Sequence, residues 1–237
     1  MDTSISLNKF ISSTGICSRR VADTWIAAGR VRINGTIAQK GNRVFENDQV
    51  TIDGQPLKSK PKAQYIALNK PPGITCTTDL KDKDNIIDFV NHPQRIFPIG
   101  RLDKASSGLI LLTNDGDIVN RILRVENKHE KEYIVSVDRP ISNRFIQKMS
   151  NGIPILGTIT NKCLVQKRSK FVFRIILTQG LNRQIRRMCE FLGYKVVTLK
   201  RTRIMHIRLD QLPQGQWRNL TPTELKTLKE AVANSRQ

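Results

Sequence analysis

Asp103 stands between Arg101 and Lys104, just ahead of the small residues Ser106, Ser107 and Gly108 and the apolar run Leu109 to Leu112. A carboxylate beside opposite charge stays ionised, and an ionised, positioned carboxylate can act as a nucleophile. Taken alone, Asp103 could equally be a surface carboxylate with casual ion pairs. A second set of reactive side chains lies in Gly180-Leu181-Asn182-Arg183-Gln184-Ile185-Arg186-Arg187-Met188. Helical spacing would put Arg183 and Arg187 on one face, with Arg186 three residues on from Arg183. Guanidiniums gathered on one turn repel each other unless an anion lies opposite. A phosphate backbone or a buried carboxylate would serve. Between Gly180 and Arg208, Glu190 is the only acid.

Forty Lys and Arg against twenty Asp and Glu give the 237-residue chain a formal net charge of +20. Such an excess calls for a polyanionic partner, because displaced counterions drive the binding of basic proteins to phosphates. No 18-residue apolar run is present, so no bilayer-spanning helix is expected. Met1 to Phe10 has no apolar h-region, and no secretory signal is expected either. Nucleic acid in the cytoplasm, rather than a membrane, is therefore the expected polyanion. Cys17, Cys76, Cys163 and Cys189 lie far apart without a C-x-x-C pair, which fits neither a zinc site nor a disulfide framework. Reduced thiols are the expectation. Without a P-loop or G-x-G-x-x-G, no nucleotide cofactor is expected. Asp79, Asp82 and Asp84 lack the glycine and distal glutamate of a calcium loop, so no metal is expected.

These side chains need elements to position them. Ser6 can cap a short helix carrying Leu7, Phe10 and Ile11, stopped by Gly15. Ser18 can cap a second, with Val21, Ala22, Trp25 and Ile26 on one face. Asn34-Gly35 and Asp53-Gly54 follow alternating apolar residues and read as tight hairpins. Basic residues on this first module are Lys9, Arg19, Arg20, Arg30 and Arg32; Arg19 and Arg20 open a helix, where phosphate is welcome. The polar, proline-flanked stretch from residue 56 reads as a linker. Past it, Tyr65 to Leu68, Leu109 to Leu112, Tyr133 to Val137 and Phe171 to Leu177 read as strands. Helical patterns fall at Ile86 to Val90, Ile118 to Leu123, Arg144 to Met149 and Gln184 to Leu192. Thr221-Pro222-Thr223-Glu224 is a capping box that opens a last helix. Without regular βαβ spacing, these make an α+β fold with a mixed, mainly antiparallel sheet flanked by helices. The expected division is a small module at residues 1–55, a linker at 56–63 and a larger domain at 64–237.

Together these motifs resemble the pseudouridine synthases of the RsuA/RluF type, in particular the RluF-like ribosomal RNA enzymes. The resemblance covers nearly the whole chain. Leu7 to Gly54, with Ser18-Arg19-Arg20, Gly29-Arg30-Val31 and Asn34-Gly35, is similar to an S4 RNA-binding domain. Leu68-Asn69-Lys70-Pro71-Pro72-Gly73 resembles the opening of the catalytic domain. Phe97 through Asp103 resembles the catalytic loop, Lys131-Glu132-Tyr133 the tyrosine motif, and Gly180 to Met188 the motif whose basic residue pairs with the aspartate. Leu181-Asn182 departs from the pattern, a difference that bears on RNA contacts. The resemblance implies Asp103 as nucleophile, Tyr133 against the target nucleoside, Arg186 holding Asp103, and Leu177 beneath the base. Arg101 would fill the vacated helix or grip a phosphate, and Arg183 and Arg187 would join the RNA contacts. It implies a bacterial monomer without a cofactor that turns a uridine of 23S rRNA, and of a tRNA loop as a second substrate, into pseudouridine. The main competing reading is a non-catalytic RNA-binding assembly factor, which would not need Asp103, Arg101 and Tyr133 together. A DNA-binding regulator fits poorly, since no symmetric recognition helix is present.

Overall fold

Ser18 starts a helix because its hydroxyl accepts the Val21 N–H, satisfying one of the donors that every helix start leaves unpaired. The computed structural model describes residues 4–233 and residue 235. The chain forms two compact units. One runs to residue 63 and takes in residues 93–95; the other holds residues 64–92 and the chain from residue 96 onward.

The first unit contains β1 (Ile5–Ser6), α1 (Leu7–Ser13), α2 (Arg19–Ala27), β2 (Val31–Ile33), β3 (Thr36–Ile37), β4 (Arg43–Val44), β5 (Val50–Ile52) and β6 (Gln55–Pro56). Strands in the order β3-β2-β5-β6 make an antiparallel sheet, and β1 pairs with β4. Asn34, Gly35, Asp53 and Gly54 all take positive φ, as two-residue hairpin turns of this twist require. Leu7, Ile11, Ala22, Ile26, Val31, Val50 and Ile52 form the core. Three local expectations need correction. Ser6 occupies the start of α1 but its side chain makes no capping bond. Val21 is exposed, because the buried stripe of α2 is Ala22 and Ile26. Pro56 belongs to β6, paired with Thr51, rather than to a linker; an edge position needs no donor from it.

The second unit continues with β7 (Tyr65–Lys70), α3 (Ile86–Val90), β8 (Phe97–Ile99), β9 (Ser107–Thr113), α4 (Asp117–Leu123), β10 (Lys131–Val137), α5 (Asn143–Asn151), β11 (Pro154–Ile155) and β12 (Thr158–Ile159). It closes with β13 (Leu164–Lys167), β14 (Val172–Leu177), α6 (Gln184–Phe191), β15 (Val196–Ile204), β16 (Ile207–Arg208), β17 (Trp217–Asn219) and α7 (Pro222–Ala233). A nine-stranded mixed sheet runs β13-β14-β10-β15-β9-β7-β17, with β16 on β15 and β8 on β9. In it, only β9 and β15 run parallel among the described residues.

The central strands are buried on both faces, which is why they read as unbroken apolar runs. Tyr65, Ala67, Leu109 and Leu111 pack in the cluster that includes Ile118, Ile122 and Leu228. Their alternates, Ile66, Leu68, Ile110 and Leu112, pack with Ile86 and Val90 of α3. A third cluster joins Phe145 and Met149 of α5 to Phe173 and Ile175 and to Ile185 and Met188 of α6. The capping box at α7 closes in both directions: the Glu224 N–H donates to the Thr221 hydroxyl, and the Thr221 N–H to the Glu224 carboxylate.

Candidate active site

The segment joining β8 to β9 carries Asp103 and is pinned on both sides. Leu102 is buried and its N–H donates to Cys76 Sγ at 3.4 Å. The Ser106 N–H reaches the Asp103 carbonyl at 2.9 Å, and the Gly73 N–H reaches the Lys104 carbonyl at 2.8 Å. Lys70, at the end of β7, is fully buried; its ammonium donates to the carbonyls of Pro71 and Ile74 at 2.8 Å and of Lys104 at 3.3 Å. Burial lowers its pKa from the ordinary lysine value. What this scaffold leaves outward is the Asp103 carboxylate.

Two guanidiniums meet that carboxylate. Arg186 Nε lies 3.6 Å and Arg183 Nη1 3.7 Å from Asp103 Oδ2. The Arg186 side chain is 11% exposed against 45% for Arg183, so Arg186 is the fixed partner. Its other nitrogens donate to the Ser106 hydroxyl at 3.3 Å and the Val196 carbonyl at 3.4 Å. Arg187 turns away: its Nε donates to the Asn182 carbonyl and its Nη2 to the Asn182 side chain.

The expected charge pattern is thus partly redrawn. Lys104 pairs with Asp84 at 2.8 Å instead of with Asp103, because the two lie on adjoining exposed loops. Arg183 does not share a helical face with Arg187. It precedes α6 in the left-handed region, with φ 49°, and this turn swings its side chain to Asp103. Arg101 is exposed and lines the cleft.

Asp103 opens into a cleft of about 730 Å³ lined by Arg101, Tyr133, Lys131, Leu181, Arg183 and Arg201 among others. That volume falls in the range of small-ligand sites. A narrower recess adds Leu177, Ser106 and Arg186 to Asp103 and Tyr133. Leu177 is buried at the end of β14. Tyr133 sits on β10 opposite Arg201, where a register shift leaves Thr202 as an extra residue of β15. Asp103, Arg186, Tyr133 and Leu177 therefore do converge. A carboxylate, a fixed guanidinium, an aromatic ring and an apolar floor can hold a planar heterocycle and attack a carbon attached to it.

The residues of the first unit are more dispersed in their roles. Arg19 and Arg20 are exposed at the start of α2, and Lys9 is half-buried on α1. Arg30 is already engaged by Asp53, its Nε 3.0 Å from one carboxylate oxygen, and stacks over Trp25 at 5.0 Å. Arg32 donates to the Gly35 carbonyl at 2.8 Å. Lys70, Ser106 and Lys131 stand within the quoted motifs without a role of their own, and Arg201 lies outside them; all four border the site. For Lys70 the signal is a lysine at the end of a strand that is otherwise largely apolar and buried.

Residues 64–191 match the family model described as RNA pseudouridylate synthase, and residues 6–50 match the S4 domain model. The chain is 56% identical over 236 residues to the dual-specificity RNA pseudouridine synthase RluF of Escherichia coli strain K12, a match spanning 99% of this chain and 81% of that one. It is 35% identical to the ribosomal large subunit pseudouridine synthase B of Bacillus subtilis, over 94% of this chain and 95% of the relative. A crystal structure of a pseudouridylate synthase superposes with a TM-score of 0.70 at 31% identity, covering 94% of this chain and 99% of that one.

Proposed function

This chain belongs to the RNA pseudouridylate synthase family, as an S4-domain member that isomerises uridine in RNA, and on that premise we propose that Asp103 is its nucleophile. The observation that carries this is the convergence of Asp103, Arg186, Tyr133 and Leu177 on one recess. Making pseudouridine breaks the C1′–N1 bond, turns the uracil and joins C1′ to C5; the C5 proton leaves and N1 regains one. No electron is exchanged, so the groups needed are a carboxylate to attack or assist, and a pocket that holds the freed base while it turns. Arg186 holds the Asp103 carboxylate in place for attack. Tyr133 stands against the ring and Leu177 beneath it. A carboxylate here can attack the sugar, attack the base, or support elimination to a glycal, and the geometry serves all three.

The target uridine must leave its stack to reach the recess. Arg101, exposed on the rim, fills the space it vacates or holds a flanking phosphate. Arg183 and Arg187 with Lys9, Arg19, Arg20 and Arg32 supply phosphate contacts to structured RNA. The substrate is a 23S rRNA uridine, supported by the large-subunit name of the Bacillus relative, with a tRNA loop of similar shape as the second substrate of a dual-specificity enzyme. The working form is a monomer in the bacterial cytoplasm, with the synthase domain at residues 64–237 and the RNA-binding module at residues 1–55.

Carbodiimide-stopped reverse transcription of 23S rRNA and tRNA incubated with purified protein tests this directly. Wild type should introduce a pseudouridine stop, and Asp103→Asn should introduce none while binding the same RNA within a few fold. Substantial turnover by Asp103→Asn would remove it from the chemistry, and stops confined to other RNAs would overturn the substrate assignment.

A further inference from the structure

Lys131 and Arg201 are buried cations that the steps above leave unused. Lys131 is 8% and Arg201 3% exposed, and both line the cleft that contains Asp103 and Tyr133. Lys131 Nζ donates to the His129 carbonyl at 3.1 Å, and Arg201 Nε to the Leu109 carbonyl at 2.6 Å. Arg201 Nη2 is buried with no hydrogen-bond partner. The nearby carboxylates are already engaged: Asp103 by Arg183 and Arg186, Glu132 by Arg174 and Arg203.

Two like charges buried side by side without an anion are costly. Burial and the Arg201 guanidinium together push the Lys131 ammonium down to about 8. An arginine nitrogen buried without a partner, on a residue that lines the cleft and next to a lysine destabilised as a cation, is what an anion site looks like before its anion arrives. The strands hold it rigidly, since Arg201 is tied to β9 through Leu109 and paired across from Tyr133 on β10. A substrate nucleotide carries its own anion, the phosphodiester, into any cleft its base enters.

We propose that Lys131 and Arg201 form a phosphate subsite within the cleft, binding one of the two phosphodiesters that flank the flipped uridine. This rests on the reading that the cleft receives a flipped nucleotide. Its effect is to fix the sugar while the base is free to turn. Carbon C1′ is then held near Asp103 through both bond-breaking and rejoining.

The test uses an RNA that wild type demonstrably converts, made with a single uncharged methylphosphonate at either phosphodiester flanking the target. Losing one charge-assisted contact should weaken wild-type binding by about tenfold or more at one of the two positions. Lys131→Met should bind the unmodified RNA about tenfold more weakly, with a log–log salt slope lower by roughly one, and should be markedly less sensitive than wild type to that methylphosphonate, since Arg201 alone remains on the phosphate. Lys131→Arg should restore the sensitivity. The Met variant removes an uncompensated charge and should melt no lower than wild type; Lys131→Gln replaces it should it fail to fold. Equal methylphosphonate sensitivity in wild type and variant overturns the subsite. Thermal stabilisation by inorganic phosphate that Lys131→Met abolishes, without any methylphosphonate effect, makes it a free-anion site and overturns the assignment to RNA. If wild type converts no uridine in any RNA, the functional reading itself fails first.

Discussion

Adjacent arginines on α6 divide their work because successive helical side chains point about 100° apart. Arg186 reaches Asp103 and Ser106, whereas Arg187 holds Asn182 in the turn that precedes the helix. Arg186→Ala should therefore lower the single-turnover rate by orders of magnitude with RNA affinity within a few fold, since the carboxylate loses its fixed partner. Arg187→Ala should weaken binding and leave the rate at saturating enzyme nearly intact. Arg183→Ala should fall between them, because its side chain is half exposed and its contact with Asp103 is the looser one. Single-turnover kinetics with matched filter binding measures all three. Equal losses for Arg186 and Arg187 would mean that the Asp103 contact does not govern the rate.

At the level of elements, the catalytic segment depends on the close approach of β9 and β15. A Cβ on Gly108 would lie 2.2 Å from the Arg201 carbonyl oxygen, and Gly108 has φ +101°. Both the clash and the backbone are intolerant of a side chain, so Gly108→Ala should cost about 3 kcal/mol or more. A melting temperature within 2 °C or so of wild type would contradict this. One strand over, hydrogen bonds from Arg174 first, and then Arg203 and Thr202, hold the Glu132 carboxyl at about 2. Its folded pKa lies below its unfolded value, so the stabilisation is present above about pH 4.5 and is lost as pH falls through about 2. That contribution is on the order of 3 kcal/mol. Glu132→Gln should be less stable at neutral pH and show a flatter stability profile between those limits in denaturant titrations. A parallel profile would show that other carboxylates dominate acid unfolding.

Across the whole molecule the net charge of +20 sets the long-range behaviour: association with RNA should be fast and steeply salt-dependent. The contribution of the first unit can be isolated without cutting the chain. Arg19→Ala with Arg20→Ala removes two exposed charges at the start of α2, away from the buried stripe of Ala22 and Ile26. The log–log salt slope should fall by roughly one to two units, with the single-turnover rate at saturating RNA unchanged. An unaltered slope would mean that this helix start does not touch phosphates.

Elements and motifs were legible in the sequence because each rests on local physics. The hairpins follow from Asn34-Gly35 and Asp53-Gly54, the last helix from Thr221 and Glu224, and the two-sided burial of β9 from an unbroken apolar run. The convergence of Asp103, Arg186, Tyr133 and Leu177 was implied by motif resemblance rather than by spacing, since they lie on four separate elements. Arg186 as a partner of Asp103 was implied by the motif resemblance, but only the tertiary structure decided that Arg183 joins it and Lys104 does not. Lys104 is its sequence neighbour yet pairs with Asp84, while Arg183 arrives from eighty residues away through a left-handed turn. The burial of Lys70, Lys131 and Arg201 was equally hidden. A buried lysine and an exposed one are the same letter, and only strand packing determines which of them loses its water.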